Sequence, residues 1–246
     1  MRLHGKTAII TGAGSGFGAG IASTFNQEGA KVIIADINWE NAKKIAKKTN
    51  GIPIKVDVSS KISVEKMVNK VLYQVETVDI LVNNAGVTHL PAPMENITEE
   101  KFDKILAVNA KSVFLTAQLL VPHFKNKKSG VILNIASTAG VSPRPNLTWY
   151  NASKGWMITA TKSMAVELAS QGVRVNAINP VAGETPLLKS FMGEDTPEIR
   201  KKFLSTIPIG RFSTPNDIGN TATFLCSDEA SMITGVALEV DGGRCI

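Results

Sequence analysis

Seven short runs of apolar and β-branched residues, separated by longer amphipathic segments, constrain the fold of this chain more than any other feature. Several runs are continuously apolar, which is typical of strands buried on both faces of a parallel sheet. The predicted strands are 6–12, 31–36, 52–58, 79–86, 130–137, 173–180 and 235–243. The segments with helical patterns are 17–28, 39–48, 60–75, 98–108, 110–126, 149–170, 186–205 and 215–226.

Strand and helix patterns that alternate in this way predict right-handed βαβ units. We therefore predict an α/β fold, a doubly wound Rossmann-type domain in which a seven-stranded parallel sheet is flanked by helices. No Pro-, Ser- or Gly-rich linker divides the chain, so we expect a single domain over residues 1–246. In such a sheet the ligand binds beyond the carboxyl ends of the strands.

The charge pattern argues against several other classes of protein. The chain carries 27 Lys and Arg residues against 21 Asp and Glu residues, and only 125–130 forms a compact basic run. Dispersed positive charge is a weak signature of nucleic-acid binding. No continuous apolar run reaches the ~20 residues of a membrane span. We therefore expect neither nucleic acid nor a membrane as a partner.

Cysteine and histidine are sparse and lack the spacing of a metal site. Cys226 and Cys245 are not spaced as zinc ligands or as a dithiol pair, and His4, His89 and His123 are isolated. We expect no metal and two ordinary thiols in a reducing compartment. The first residues lack the apolar run of a signal peptide, which favours a cytoplasmic location.

The stretch TGAGSGFGAG (11–20) follows the first predicted strand and opens a helix. Gly12, Gly16 and Gly18 would let the backbone turn tightly and approach a pyrophosphate, whose charge suits a helix N-terminus. The order T-G-x-x-x-G-x-G differs from the G-x-G-x-x-G fingerprint. Its place between strand and helix still favours a dinucleotide site over a flexible turn.

Asp36 ends the second predicted strand, 18 residues after Gly18. A carboxylate there can accept hydrogen bonds from ribose hydroxyls and would repel a 2′-phosphate, which predicts NAD over NADP. Neither Ile37 nor Asn38 is an arginine that would hold a phosphate. Asp36 is also a candidate helix cap, but Asn38 is better placed for that role.

Small and polar residues also follow the third and fourth predicted strands. Asp57 and Val58 end the third strand, and NNAG (83–86) ends the fourth. Both lie where an adenine edge and the nucleoside backbone would run. Each is equally compatible with turn chemistry, since Asn and Gly favour turns.

The stretch TWYNASKG (148–155) places Tyr150 and Lys154 four residues apart, on one face of a predicted helix. Free tyrosine has a pKa near ~10. A neighbouring ammonium is expected to lower that pKa, so that Tyr150 exchanges a proton near neutral pH. Ser137 ends the fifth strand, where its hydroxyl could bind a substrate oxygen. Asn109 interrupts a helical run and could hold a water that delivers protons to Lys154.

In this order and spacing, TGAGSGFG, NNAG, Asn109, NIASTAG and YNASK resemble the short-chain dehydrogenase/reductase family, over essentially the whole chain to VDGG (240–243). The resemblance implies that Tyr150 is the catalytic acid/base, that Ser137 polarises the substrate oxygen, and that Lys154 binds the nicotinamide ribose. Asn109 would support the proton relay. The residues implied at the pyrophosphate are Gly12, Ser15, Gly16, Phe17 and Gly18, and those at the adenosine are Asp36, Asp57, Val58, Asn83, Ala85 and Gly86.

The stretch NPVAGETPLL (179–188) resembles the P-G-x-x-x-T segment that closes over nicotinamide in that family. Pro180 and Thr185 match the pattern, whereas Val181 replaces its glycine. Because valine avoids positive φ, the local backbone is in question at this position. The resemblance to that family also implies a homotetramer formed through the long helices at 98–126 and 149–170.

The resemblance implies reversible oxidation of a secondary alcohol to a ketone, with NAD as the cofactor and a small molecule as the substrate. Two alternatives stay open. An NADPH-dependent 3-oxoacyl-carrier-protein-type ketoreductase is disfavoured by Asp36, and a non-catalytic nucleotide-sensing protein is disfavoured by the intact Ser–Tyr–Lys–Asn set. Arg144 is either an anchor for a carboxylate or phosphopantetheine, or a solvated arginine. The candidates for substrate selection are Thr88, His89, Leu90, Ala139, Val141, Arg144, Trp149, Val181, Leu187, Leu188 and Met192.

Overall fold

A computed structural model describes all residues from 1 to 246. Its seven strands are β1 (Thr7–Thr11), β2 (Lys31–Asp36), β3 (Ile52–Lys55), β4 (Ile80–Asn83), β5 (Gly130–Ile135), β6 (Val173–Pro180) and β7 (Ala237–Val240). Its helices are α1 (Gly16–Gln27), α2 (Trp39–Thr49), α3 (Lys61–Gln74), α4 (Glu99–Leu106), α5 (Ser112–Lys127), α6 (Thr148–Leu168), α7 (Leu188–Met192), α8 (Pro197–Leu204) and α9 (Pro215–Cys226).

The strands form one parallel sheet in the order β3-β2-β1-β4-β5-β6-β7, so the predicted doubly wound α/β fold is confirmed. The strand order reverses direction between β1 and β4. In a sheet of this kind, the crevice at such a reversal is where ligands bind. Several strands are shorter than predicted, because residues after 55 and 83 leave the sheet as loops at its carboxyl edge.

Helices cover both faces of the sheet. Alternate strand residues point to opposite sides, so that Ile10 and Ile34 pack against α1, α2 and α9, while Ile9 and Ile33 pack against α3, α5 and α6. All four isoleucines are fully buried. Burial on both faces explains why these strands are continuously apolar in sequence.

The two helices predicted at 98–108 and 110–126 are one continuous helix. A π-helical turn at Ala107–Lys111 joins α4 to α5 and contains the buried Asn109. The combined helix, Glu99–Lys127, is long and apolar enough to cross a membrane by length and composition alone. Here it packs on the sheet, where the Thr116 hydroxyl donates a hydrogen bond of 2.8 Å to Oδ1 of the buried Asn83.

The helix predicted over 186–205 is wrong, because two short helices replace it. Gly193 ends α7 with a φ of 80°, a conformation that favours glycine. Thr196 then caps α8 by accepting a hydrogen bond from the backbone of Ile199, and Pro197 occupies the first turn. Together α7 and α8 form a flap over a small core that contains Leu188, Met192 and Phe212.

Candidate active site

A cavity of about 600 Å³ runs along the carboxyl edge of the sheet. Most residues predicted for the site line it, from the loops after β1 to β6 and from α6. These are Gly12, Ser15, Gly16, Phe17, Asp36, Asp57, Val58, Ala85, Gly86, Ser137, Tyr150, Lys154, Pro180, Val181 and Thr185. Lining residues that sequence reasoning missed are Val56, Ser59, Asn84, Val87, Lys104, Ala107, Val108, Leu147, Gly183, Phe191 and Phe203.

Two groups among the missed residues differ in the signal that could have identified them. One group consists of direct neighbours of predicted residues in the same loops, namely Val56, Ser59, Asn84 and Val87. The predicted strand ends therefore already indicated where these residues lie. Phe191 and Phe203 enter from the flap formed by α7 and α8. Phe191 lies next to the predicted segment 179–188, which was the signal for it, whereas no local pattern relates Phe203 to the cavity.

Three predicted residues lie behind the lining. A Cβ atom at Gly18 would come 2.3 Å from the carbonyl oxygen of Gly12, so Gly18 permits close packing of α1 on the glycine loop. Asn83 is buried and its amide donates to Oδ1 of Asn134 at 2.9 Å. Asn109 is fully buried in the π-helical turn. All three support the wall of the cavity, and their roles toward a cofactor or a proton relay stay predictions.

The glycine loop presents an open helix end to the cavity. Gly12 and Gly16 have φ values of 63° and 54°, and a Cβ at Gly12 would lie 2.9 Å from Cα of Ala85. Ser15 precedes α1 but its hydroxyl makes no capping hydrogen bond, and the first turn contains no acidic residue. The N–H groups at the start of α1 are therefore left for an external acceptor. This arrangement fits an anionic pyrophosphate.

Asp36 is held at the adjoining end of β2 by two backbone groups. Its Oδ2 accepts a hydrogen bond from the N–H of Gly14, and its Oδ1 accepts one from the N–H of Asn38, both at 2.8 Å. Asn38, as predicted, caps α2 by accepting from the backbone of Asn41 at 3.0 Å. Each carboxylate oxygen has more than one acceptor site, so Asp36 can still accept from a ligand hydroxyl in the cavity.

The side chain of Asn109 joins three parts of the site. Its Oδ1 accepts from the N–H of Val87 at 2.9 Å, and its Nδ2 donates to the Val87 carbonyl at 2.9 Å. The same Nδ2 donates to Oγ of Ser153 at 3.0 Å. Ser153 in turn donates to the Tyr150 carbonyl at 2.7 Å. Asn109 thus fixes the loop after β4 relative to α6.

The end of β5 lies beside α6, and this is where the side chains of Ser137, Tyr150 and Lys154 come together. Nζ of Lys154 donates to the carbonyl of Ile135 at 2.8 Å and lies 5.9 Å from the centre of the Tyr150 ring. The hydroxyl of Ser137 accepts from the N–H of Ala139 at 3.1 Å, so its own proton can point toward Tyr150 or a ligand oxygen. All three side chains line the cavity, so a single ligand oxygen can meet the Ser137 and Tyr150 hydroxyls.

The expectation that Lys154 brings the pKa of Tyr150 below that of free tyrosine is wrong. Burial raises the pKa of Tyr150 to about 12, and a hydrogen bond with Ser137 only partly opposes the shift. Burial also lowers the pKa of Lys154 to about 8. The reason is that loss of water disfavours both charged forms. At neutral pH the phenol is protonated and the amine is largely charged, which is a proton-donating arrangement.

Val181 does not require the left-handed backbone that glycine would permit. The only residues other than glycine with positive φ are Asn50, Lys128 and Asn146. Val181 is buried, and its N–H donates to the carbonyl of Val240 at 3.3 Å. Close packing instead occurs at Gly183, where a Cβ would lie 2.3 Å from Cζ of Phe17. The substitution of valine is therefore accommodated without strain.

We expect that Lys154→Met stabilises the ligand-free protein at pH 7. A folded-state pKa of about 8, below 10.5, means that the folded chain bears the cost of a buried charge below pH 8. The shift corresponds to about 3 kcal/mol at ~1.4 kcal/mol per unit, less about 1 kcal/mol for the lost hydrogen bond. Because the unfolded chain binds more protons between these values, the advantage should shrink as pH rises from 8 to 10.5.

Urea unfolding of both proteins at pH 7 and pH 10 measures this effect. Lys162→Met, which changes an exposed lysine of the same helix, is the control and should show no such pH dependence. Equal pH dependence of the two variants would contradict the assignment of a costly buried charge.

Comparisons with known proteins agree with this geometry. Residues 12–244 match the family model described as enoyl-(acyl carrier protein) reductase. The chain is 48% identical to 4-formylbenzenesulfonate dehydrogenase of Comamonas testosteroni and 41% identical to a 3-oxoacyl-[acyl-carrier-protein] reductase of Thermotoga maritima, over 100% of both chains in each case. It also superimposes with a TM-score of 0.95 on the crystal structure of a 3-ketoacyl-(acyl-carrier-protein) reductase of Brucella melitensis complexed with NADH, at 49% identity, covering 99% of this chain and 100% of that one.

The match extends over almost the whole chain, and it includes the glycine loop, the strand ends and the helix that carries Tyr150. The chain therefore belongs to the short-chain dehydrogenase/reductase family and is an oxidoreductase that acts on CH–OH groups with a nicotinamide cofactor.

Proposed function

We propose that this oxidoreductase uses NAD(H) to interconvert a small secondary alcohol and its ketone. The observation that carries the proposal is that Ser137, Tyr150 and Lys154 line one end of a cavity whose other end is lined by Asp36. We further propose that the protein works in the cytoplasm, where its two free cysteines, Cys226 and Cys245, would stay reduced.

The residues present at the cavity fit a nicotinamide dinucleotide. Gly12, Ser15 and Gly16, with the open start of α1, would hold the pyrophosphate. When bound, the nicotinamide supplies hydride transfer. Lys154 would hold the nicotinamide ribose. The remaining wall of the proposed binding site would be formed by Phe17, Asp36, Asp57, Val58, Ala85, Gly86, Pro180, Val181 and Thr185.

Tyr150 would carry the proton in both directions. Because its pKa is raised to about 12, the phenol is protonated at neutral pH and can donate to a ketone oxygen during reduction. In oxidation, Tyr150 would first have to give its proton to solvent, and its phenolate form would then accept the proton of the alcohol. Ser137 would hydrogen-bond the same oxygen, and the charge of Lys154 would stabilise the phenolate that is left when the proton moves. Asn109 would act as a positioning residue, since it touches Val87 and Ser153 behind the wall.

The name of the Comamonas testosteroni relative refers to a small aromatic carbonyl compound. This supports a small-molecule substrate for the present chain. The Thermotoga maritima relative is named for a carrier-bound substrate, which keeps a 3-oxoacyl-type ketoreductase as the second candidate function. The two candidates differ in the substrate and in the expected cofactor.

Tyr150→Phe removes only the phenolic hydroxyl and is expected to lower kcat by ~10²–10⁴, because general acid–base catalysis contributes that much. NADH binding and the melting temperature should stay close to those of the parent. The measurement is NADH absorbance on a panel of secondary alcohols and ketones. Tyr73→Phe, at a tyrosine that is 93% exposed, is the matched control and should keep full activity. Turnover by Tyr150→Phe within threefold of the parent would rule out the assignment.

The proposed preference for NAD rests on the charge near Asp36. No lysine or arginine lines the cavity in the part formed by residues 12–59. Lys104 and Arg144 belong to segments that follow β4 and β5. In the sheet order β4 is two strands from β2 and β5 is three, so these segments start about 10 Å and about 14 Å away from the β2 strand end at ~4.8 Å per strand. A 2′-phosphate beside Asp36 would therefore meet repulsion without a compensating cation.

We predict that NADH binds at least tenfold tighter than NADPH, since one hydrogen bond to a charged group is worth ~1.5–3 kcal/mol. Asp36→Asn keeps the shape and removes the charge, so it should narrow the difference. Fluorescence titration of both cofactors against both proteins provides the measurement. Tighter binding of NADPH by the parent protein would refute the preference and favour the ketoreductase alternative.

We also propose a homotetramer that assembles through α5 and α6. Phe114 is 54% exposed on α5, and Trp156 is 43% exposed on α6. Large exposed apolar residues on adjacent long helices are typical of protein interfaces. Val113 and Met157, which neighbour these residues in sequence, are buried in the core and so do not contribute to this surface.

Light scattering is expected to give about four times the chain mass of 26.3 kDa. Trp156→Glu should lower the measured mass, because it would bury a charge in the interface. Ile62→Glu changes an exposed isoleucine of α3 and should leave the mass unchanged. A parent protein that is monomeric at micromolar concentration would disprove the assembly.

A further inference from the structure

The Tyr150 end of the cavity carries positive charge without a compensating carboxylate. Lys104, Arg144 and Lys154 line the cavity, and its two lining carboxylates, Asp36 and Asp57, follow β2 and β3. Because Arg144 follows β5, the sheet separates it from those acids by at least three strands, or about 14 Å. The cavity is thus acidic where the adenosine would lie and basic where the substrate would lie.

Arg144 is the unusual member of this group. Its guanidinium carbon lies 4.4 Å from the centre of the Phe203 ring, so the flap covers one face of the group. Its Nη2 is buried and has no hydrogen-bond partner. A buried donor on a charged group is costly unless it is paired. The unpaired Nη2 therefore indicates a partner that is absent from the protein itself.

A second arginine reinforces the positive charge. Nη1 of Arg244, near the end of the chain, donates to the hydroxyl of Ser142 at 3.2 Å, while its Nε is also buried without a partner. Arg244 forms no salt bridge with the nearby Asp241, whose carboxylate accepts from the N–H groups of Gly243 and Cys245. Burial, assisted by repulsion from Arg244, lowers the pKa of Arg144 to about 10. Arg144 therefore stays charged at neutral pH.

The walls between Arg144 and the catalytic hydroxyls are apolar. Phe191 of the flap packs on Tyr150 with ring centres 5.1 Å apart. Leu147 packs in the same cluster as Tyr150, and Phe203 stacks on Arg144; both line the cavity. These surfaces suit the hydrocarbon or aromatic body of a ligand whose polar groups lie at its ends.

We propose that Arg144, supported by Arg244, selects substrates that carry a carboxylate or sulfonate on an apolar body whose hydroxyl or carbonyl group meets Tyr150. This inference rests on the proposed function of the site. A guanidinium presents a planar fork of donors that matches two oxygens of such an anion. A neutral analogue would leave the donors unpaired and would be bound less tightly.

Binding of unreactive probes tests the inference without requiring turnover. The probes are 4-methylbenzoate, 4-methylbenzenesulfonate and the neutral 4-methylbenzamide, titrated calorimetrically into the NADH-saturated protein. We expect at least one anion to bind tenfold or more tightly than the amide. Arg144→Met should abolish the difference, and Arg144→Lys should retain part of it. Arg2→Met removes a distant charge and should not change it, and circular dichroism verifies that each variant folds.

Turnover gives a second, independent measurement. The measured quantity is the ratio of kcat/KM for 4-acetylbenzoate to kcat/KM for 4-acetylbenzamide. This ratio should be about 10 or more in the parent and in Arg2→Met, and should fall below about 3 in Arg144→Met. Equal binding of the anions and the amide, or an anion preference that survives in Arg144→Met, would overturn the inference. Binding that depends on Arg144, with no turnover of any alcohol or ketone, would support the anion site and refute the proposed function.

A carrier-bound substrate offers a different source of negative charge, in the phosphate of phosphopantetheine. Comparison of acetoacetyl-phosphopantetheine with acetoacetyl-pantetheine separates this case from a small anionic substrate. If Arg144 confers a preference only for the phosphorylated thioester, while the small anions bind no better than the amide, the assignment of a small carboxylate or sulfonate is wrong.

Discussion

The amide of Asn109 makes three hydrogen bonds that fix the geometry of the proposed catalytic end. Two of them join it to the backbone N–H and carbonyl of Val87 after β4. The third joins it to Ser153, which is itself hydrogen-bonded to the backbone carbonyl of Tyr150. The π-helical turn is what aims this amide inward. Such a turn inserts one extra residue, so a regular helix would rotate Asn109 away from the site by about 100°. The loop, the long helix and α6 therefore depend on one buried side chain.

A second group of buried, hydrogen-bonded polar side chains fixes the register of β4 against β5, beneath Asn109. Asn83 and Asn134 are partners in neighbouring strands, and their side chains are hydrogen-bonded at 2.9 Å. Asn134 also donates a hydrogen bond to Thr161 on α6, and Asn83 accepts a hydrogen bond from Thr116 on α5. Buried polar groups that are fully satisfied specify one arrangement, since any slip would leave them unpaired. Together with Asn109, these contacts hold α5 and α6 at fixed positions on the sheet.

The sheet and most helices were predictable because their signals are local. Continuous apolar runs identified the seven strands, and Asn38 was correctly chosen over Asp36 as the cap of α2. The flap is an exception: the apolar pattern over 186–205 predicts one helix, whereas the local signals Gly193, Thr196 and Pro197 divide it into two.

The chemistry of the site was less predictable, since it depends on burial. The spacing of Tyr150 and Lys154 placed them on one helix face, but the direction of the pKa shift of Tyr150 came from loss of water, which spacing does not reveal. The same holds for the role of Phe203. Its stacking on Arg144 joins residues 59 positions apart in the sequence, through a flap whose fold had not been anticipated.

The open start of α1 has a consequence for the lifetime of the protein. A hydroxyl cap at Ser15 would contribute ~1 kcal/mol to folding, and the protein lacks that cap. A ligand that occupies this helix end stabilises only the folded form, by about 2.7 kcal/mol at a hundredfold excess over its Kd. Since proteases in the cell remove unfolded chains, the abundance of the enzyme becomes coupled to the supply of that ligand. The unpaired N–H groups at the start of α1, which permit ligand binding, would thus shorten the lifetime of the enzyme when its ligand is scarce.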